Sequence, residues 1–330
     1  MTGLLAAVLA GDDAALPARA PSGAAIERLG PAIWRIEPAG GARDARPLLL
    51  SAGVHGDETA PVELLCAAAD AIAAGALPVG APVLLALGNL GALRAGLRYL
   101  DHDLNRLFGG RHGARRDARD APRAAALEAA AGAFCARHPG ALHLDLHSAI
   151  RASLHPSFAV HPLDEAAALP PAALRLLAGL GIDALVRSSL PSPTFTGHTA
   201  RAHGCEAYTL ELGRVRALGE GAAGELAAAG GGVRALIAGA PLPPAAPAPV
   251  VYRVRRELLK QSDGFRLTIP PDAPNFTPLA PGEPIACDGD TTWIAEPGER
   301  IVFPNPKVAP GLRAGLLVIA ERAPAEHAGS

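Results

Sequence analysis

Lysine is nearly missing from this 330-residue chain: of 30 basic side chains only Lys260 and Lys307 are lysines, and the others are arginines. Because Ala, Gly and Pro are abundant, the skew reads as a coding bias, and it makes any single Arg weak evidence for a binding site. No block of like charge occurs and the formal net charge is −2, which argues against nucleic acid or an anionic membrane as the main partner. Cysteine is scarce: Cys66, Cys135, Cys205 and Cys287 are scattered with no Cys-x-x-Cys spacing, the pattern of reduced, buried thiols in a cytosolic protein. Cys205 has no evident base beside it, which speaks against a thiol nucleophile. No apolar run of membrane-spanning length is present. The apolar segment Leu4 to Ala10 lacks a basic flank and runs into Asp12 and Asp13, so it reads as part of the fold and not as a leader. The expectation is a soluble, cytoplasmic protein that acts on a small molecule, with no nucleic acid or membrane partner and with room for a homo-oligomer.

Apolar residues make up 49% of the chain, enough for one large domain, or a large one with a smaller companion. The informative stretch is Leu48-Leu49-Leu50-Ser51-Ala52-Gly53-Val54-His55-Gly56-Asp57-Glu58. An apolar run of strand length ends in small residues and then delivers a His and a Glu three positions apart. Val62 to Ala69 follows with helical character, so His55 and Glu58 fall in a strand-to-helix turn, where open α/β sheets keep their chemistry. A His-x-x-Glu pair also occurs in ordinary solvated loops and needs a third ligand. His147 supplies it. The segment Ala141-Leu142-His143-Leu144-Asp145-Leu146-His147-Ser148 alternates strictly, which puts His143, Asp145 and His147 on one strand face and three leucines on the other. Two His and one Glu, with a fourth position for water, is the pattern of a catalytic zinc site. Asp145, two residues before His147 on the same face, is placed to orient a ligand His or to line the pocket.

Along the chain, residues 1–43 read as an N-terminal elaboration containing a half-exposed strand at Ala32 to Glu37. Residues 44–240 read as the catalytic α/β domain, with a second buried strand at Pro82 to Asn89 and an Ala-rich helix over 121–137. A Ser/Pro/Thr-rich loop from Ser188 to Thr199 is long enough to serve as a lid, and a strand at Ala207 to Leu212 carries Glu211 out of an apolar run. The Pro/Ala run Ala240 to Val250 reads as a linker to a small β-rich domain over 241–330. No internal repeat is evident.

Four motifs occur in order over residues 48–213: Gly53-Val54-His55-Gly56-Asp57-Glu58, Arg98-Tyr99 through Asp103-Leu104-Asn105-Arg106, Asp145-Leu146-His147, and Thr209-Leu210-Glu211-Leu212-Gly213. With them the chain resembles the succinylglutamate desuccinylase and aspartoacylase family of zinc carboxypeptidase-like hydrolases. Asp103 to Gly110, His147 to Pro156, Asn275-Phe276-Thr277-Pro278, Phe303-Pro304-Asn305-Pro306 and Gly311 to Gly315 are similar to the desuccinylase branch. The aspartoacylase branch places a substrate-binding Tyr in its C-terminal domain, and none stands near Phe303 to Lys307, which lowers the case for acetylaspartate.

The resemblance implies a mixed central sheet flanked by helices with a small C-terminal β domain. It implies one Zn²⁺ per subunit on His55, Glu58 and His147, with Glu211 as the catalytic carboxylate. Arg98 is the candidate for stabilising the oxyanion of a tetrahedral intermediate. Asn105 and Arg106 suit the α-carboxylate of an amino-acid leaving group. Arg201, ten residues before Glu211, matches a substrate-binding Arg of the aspartoacylase branch, and Arg151 is a weaker candidate for the succinyl carboxylate. The implied reaction is hydrolysis of N-succinyl-L-glutamate to succinate and L-glutamate, in arginine breakdown through succinylated intermediates. The alternatives are a deacylase of another N-acyl amino acid, a carboxypeptidase, or a non-catalytic metal-binding module.

Overall fold

The protein is described from a computed structural model, over residues 3–12, 16–41, 45–162, 169–220, 224, 226–243 and 247–321. Among these residues the chain forms strands β1 (Ala25–Gly30), β2 (Ile33–Glu37), β3 (Leu48–Ala52), β4 (Val83–Leu87), β5 (Leu142–Ala149), β6 (Ser157–His161), β7 (Ala184–Arg187) and β8 (Glu206–Arg214). The C-terminal part adds β9 (Val250–Leu259), β10 (Arg266–Leu267), β11 (Thr277–Pro278), β12 (Pro284–Asp288), β13 (Thr291–Ile294), β14 (Arg300–Val302) and β15 (Arg313–Ala320). The helices are α1 (Gly3–Leu9), α2 (Thr59–Ala73), α3 (Leu90–Ala95), α4 (Ala121–Arg137), α5 (Pro171–Gly179), α6 (Phe195–His203) and α7 (Ala227–Ala238).

Strands β3 and β4 are the unbroken apolar runs of the sequence, and every residue in them is buried. Such strands demand cover on both faces, which helices provide. On one face α1, α2, α5 and α7 pack against Leu48, Leu50, Leu144 and Leu146. On the other, α4 and α6 bring Leu127, Phe134 and Phe195 against Leu49 and Leu84.

The strands lie in the order β1-β2-β4-β3-β5-β8-β6-β7-β9-β15-β14-β11 in one mixed, twelve-stranded sheet. From β3 the chain crosses through α2 to β4 on one side, and then returns through α4 to β5 on the other side, all three strands being parallel. The order therefore reverses between β3 and β5. At such a switch point the connections leave in opposite directions and open a crevice beyond the carboxyl ends of the strands. The turn after β3 and the end of β5 both face it.

The mixed sheet flanked by helices and the small β-rich C-terminal part are as expected. The sequence did not show how the two join: β9 pairs in parallel with β7 from Ala184↔Val250 to Arg187↔Arg253 and carries the main sheet onward. Phe158, Val186, Tyr252, Phe276 and Leu316 share one apolar cluster across the junction. The separate three-stranded sheet β10-β12-β13 belongs to the C-terminal part alone. The expected Ser188 to Thr199 lid is half helix. Thr194 caps α6 by accepting from the Gly197 N–H, and Asn105 Oδ1 accepts from the Phe195 N–H at 2.9 Å. These bonds satisfy donors that a helix start leaves open, so only Ser188 to Thr194 remains loop. Residues 244–246 of the expected linker lie outside the described residues.

The turn after β3 depends on close backbone packing. A Cβ on Gly88 would sit 2.3 Å from Val54 N and 2.5 Å from Gly53 C, with no flexible side chain to give way. Gly88→Ala should destabilise the protein by about 3 kcal/mol, at the upper end of overpacking costs. A melting temperature equal to the parent's would refute that packing.

Candidate active site

Gly53, at φ 73°, turns the chain out of β3 so that His55 and Glu58 point into the crevice, and Gly56 N bonds to Arg98 O at 3.0 Å to fix the turn. His147 projects from β5 on the face opposite Leu144 and Leu146. The three side chains are buried, and one ligand atom from each lies within 4.8 Å of the others. Glu58 stands between the imidazoles: its Oε1 is 2.8 Å from His55 Nδ1 and its Oε2 is 2.8 Å from His147 Nδ1. Oε1 also accepts from Arg98 Nη1 at 2.8 Å, and Oε2 from the Ser148 N–H at 3.1 Å. Burial would push this carboxyl up, but the two imidazoles hold it well below the usual carboxylate range.

The far nitrogens of both rings are held by carboxylates. His147 Nε2 lies 2.8 Å from Asp145 Oδ2, and His55 Nε2 lies 3.1 Å from Asp103 Oδ1. An imidazole whose Nε2–H donates to a carboxylate is left with Nδ1 as the nitrogen that can give up its proton and offer a lone pair to a metal, which is how metal-ligating histidines are oriented. Two imidazole nitrogens and a carboxylate oxygen, with the His147 ring so oriented by Asp145 and the His55 ring flanked by Asp103, fit a divalent metal ion that accepts mixed N and O donors, such as zinc. Burial opposes charge on Asp103, yet the hydrogen bond to His55 and the charges of Arg106 and Arg98 pull its pKa far down.

Glu211 on β8 is aligned with His147 on β5. Its carboxyl accepts no hydrogen bond among the described residues. Burial pushes it up, with help from the Glu58 charge and against His147, His55 and Arg98, to about 7. A carboxyl poised there can take a proton and give it back near neutral pH.

Residues 44–237 match the family described as the succinylglutamate desuccinylase/aspartoacylase catalytic domain, and residues 247–321 match the AstE/AspA barrel-sandwich hybrid domain. The chain belongs to the succinylglutamate desuccinylase/aspartoacylase family. A succinylglutamate desuccinylase of Burkholderia pseudomallei is 47% identical over 327 residues, covering 96% of this chain and 92% of that protein. The solved succinylglutamate desuccinylase of Vibrio parahaemolyticus superposes with TM-score 0.88 at 31% identity, over 97% of this chain and 95% of its own. That of Chromobacterium violaceum gives TM-score 0.84 at 34% identity, over 97% and 98%.

In this family member the structure brings His55, Glu58, His147, Arg98 and Glu211 together at the crevice. Arg98 spans Glu58 and the His55 ring, its Nη2 3.1 Å from His55 Nε2, with Asp57 Oδ1 at 4.0 Å from Nη1. Arg106 lies on the rim, half exposed, with Nε 4.0 Å from Asp103 Oδ2 and Nη1 donating to Asn105 O at 2.9 Å. Asn105 is buried and spends its carbonyl on the α6 start. Arg201 is on the outer face of α6, bonded to the Ser192 carbonyl, and lines a surface cavity of about 330 Å³ with Gly109, His198 and Ala202. Arg151 bonds to the Pro271 carbonyl in the C-terminal part. Neither touches the His-Glu-His cluster. The buried thiols of Cys135 and Cys205 lie 3.4 Å apart. Among the described residues no helix is long and apolar enough to cross a membrane.

Asp103 escaped the sequence reading as a partner of His55, although it begins the Asp103 to Arg106 motif. Its only signal was a lone carboxylate beside residues assigned to substrate, and 48 positions separate it from the ring that it holds. Asp103→Ala should weaken zinc binding about 10–100-fold, the usual cost of removing a ligand's orienting carboxylate. Competition with a chromophoric chelator measures it, and parent-like affinity would show that the His55–Asp103 contact does not orient the ring.

Proposed function

We propose that this protein hydrolyses N-succinyl-L-glutamate to succinate and L-glutamate, using one zinc ion held by His55, Glu58 and His147. The observation that carries the chemistry is the alignment of Glu211 with His147 across β5 and β8, which sets an unengaged, near-neutral carboxyl beside the ligand cluster. The substrate rests on the relatives named succinylglutamate desuccinylase that match this chain end to end.

Amide hydrolysis needs an activated water, a stabilised oxyanion and a proton for the leaving amine. Zinc, when bound, lowers the pKa of water towards about 7 and polarises the acyl oxygen as a Lewis acid. Glu211 takes the proton as the water oxygen bonds to the acyl carbon, and returns it to the amide nitrogen as the C–N bond breaks. Arg98, 31% exposed at its side chain and so open to the crevice, faces the developing oxyanion with the guanidinium donors that Glu58 does not use. Arg106 binds the α-carboxylate of the glutamate half from the rim, on a turn that Asn105 anchors. Arg151 and Arg201 serve a substrate carboxylate only by leaving the backbone carbonyls that they now hold. The catalytic part over 44–240 carries this chemistry. The part over 241–330, fastened to the catalytic sheet through β9, forms the lip that limits substrate length. We place the reaction in the cytoplasm, in arginine breakdown through succinylated intermediates.

Purified, zinc-loaded protein should release glutamate from N-succinylglutamate in strong preference to N-acetylglutamate, N-acetylaspartate and a short peptide, and a chelator should abolish the release. Preference for another compound would overturn the substrate while leaving the metal chemistry standing; indifference to the chelator would overturn the metal. Glu211→Gln keeps the size and removes the proton carrier. It should lower kcat by about 10²–10⁴-fold, the usual worth of a positioned acid–base group, with zinc content unchanged by metal analysis. Parent-like turnover would remove Glu211 from its assigned role.

A further inference from the structure

Behind the ligand cluster the polar face of β5 continues inward along a line of fully buried polar groups: Ser51 on β3, His143 and Asp145 on β5, and Thr199 on α6. Ser51 Oγ lies 2.6 Å from Asp145 Oδ1 and 3.0 Å from His143 Nε2. His143 Nδ1 lies 2.7 Å from Thr199 Oγ1. Asp145 Oδ2, at the near end, meets His147 Nε2. Proton counting gives this line a direction. A carboxylate only accepts, so the single Ser51 proton goes to Asp145. The Ser51 oxygen is then left to accept, so His143 Nε2 must carry a hydrogen. Burial keeps that imidazole neutral by pushing its pKa down to about 4, so Nδ1 is bare and accepts from Thr199. Thr199 has one proton, and the contact to His143 is shorter than its alternative, 3.2 Å to the Thr196 carbonyl.

We propose that Ser51 and His143 are positioning residues for the metal centre: the one-way chain Thr199, His143, Ser51, Asp145 fixes Asp145 so that it holds His147 as the Nε2–H tautomer, with Nδ1 bare towards the metal. This rests on the reading of His55, Glu58 and His147 as zinc ligands. Apolar replacements of similar volume would fill β3 and β5 equally well, and burying polar groups without need is unfavourable. The chain also ties α6 to the metal side of the sheet. The Phe195 ring stands edge-on to His143 at 4.7 Å, and Thr196 Oγ1 lies 2.9 Å from Thr209 Oγ1, two residues before Glu211.

The test compares Ser51→Ala, His143→Leu and His143→Gln in the full-length protein. Four experiments are run on each: zinc affinity by chelator competition, the absorption spectrum of the cobalt(II)-loaded form, the metal-free melting temperature, and steady-state kinetics at saturating zinc for kcat and KM. Ser51→Ala and His143→Leu should each weaken zinc binding by about 10–100-fold and shift the cobalt spectrum, with kcat falling and KM unchanged. His143→Gln, whose amide nitrogen can donate to Ser51 as Nε2 does, should recover most of the affinity. Parent-like zinc affinity and cobalt spectra in folded Ser51→Ala and His143→Leu would overturn the proposal, even if their melting temperatures fell, because the chain would then serve packing alone. If His143→Leu does not fold, Ser51→Ala, which removes one hydroxyl, decides. Absence of zinc binding by the parent would overturn the zinc reading itself, and that outcome is read before any variant is compared.

Discussion

Everything at the crevice answers to one buried charge, the Glu58 carboxylate. Each of its oxygens is met from two directions, by His55 and Arg98 on one and by His147 and the Ser148 amide on the other. Stripping one partner from a buried ionic cluster of this kind costs about 3–5 kcal/mol, because the remaining charge is left without compensation. The partners come from separate stretches: the turn after β3, the segment after α3, and the end of β5. The sheet order has to bring all of them to one point. The reversal of strand order between β3 and β5 does so, and the outer carboxylates Asp103 and Asp145 balance the imidazoles from behind.

The sequence made legible the parts of this arrangement that are local. Leu48 to Leu50 and Val83 to Leu87 read as buried strands because their side chains are apolar on both faces. His143, Asp145 and His147 read as one face because a strand has a period of two. The candidate ligand triad His55, Glu58 and His147 was legible because each member sits at a strand end, where α/β sheets place their reactive groups, and the family motifs then pointed to Glu211. Asp145 was legible as a partner of His147 because it shares the strand face, but the partners from distant stretches were not. Asp103 is brought to His55, and Thr199 to His143, by loop paths and helix packing that carry no spacing signal. The arginines illustrate the same limit. Arg98 lies beside Glu58, while Arg201, singled out by its match to a substrate-binding Arg of the aspartoacylase branch, is on the outer side of α6, since a position in a motif cannot say which face of a helix is presented.

The start of α6 shows how a loop composition can conceal a helix. Ser192, Pro193 and Thr194 suggest irregular structure, yet Thr194 caps the helix and Asn105 receives its first amide. A residue singled out for substrate thereby also acts as scaffold, because the Asn105 carbonyl is engaged by α6. Its neighbour Arg106 is the one left at the rim.

Because β9 extends the sheet from β7 by main-chain hydrogen bonds, the C-terminal part is built onto the same sheet that carries Glu211 on β8. Four strand positions are in register across that junction, from Ala184↔Val250 to Arg187↔Arg253. The seam is closed a second time by the apolar cluster of Phe158, Val186, Tyr252 and Phe276. Parting the two halves would therefore strand backbone amides and carbonyls and wet an apolar surface at once, so the C-terminal part is expected to melt together with the sheet it prolongs.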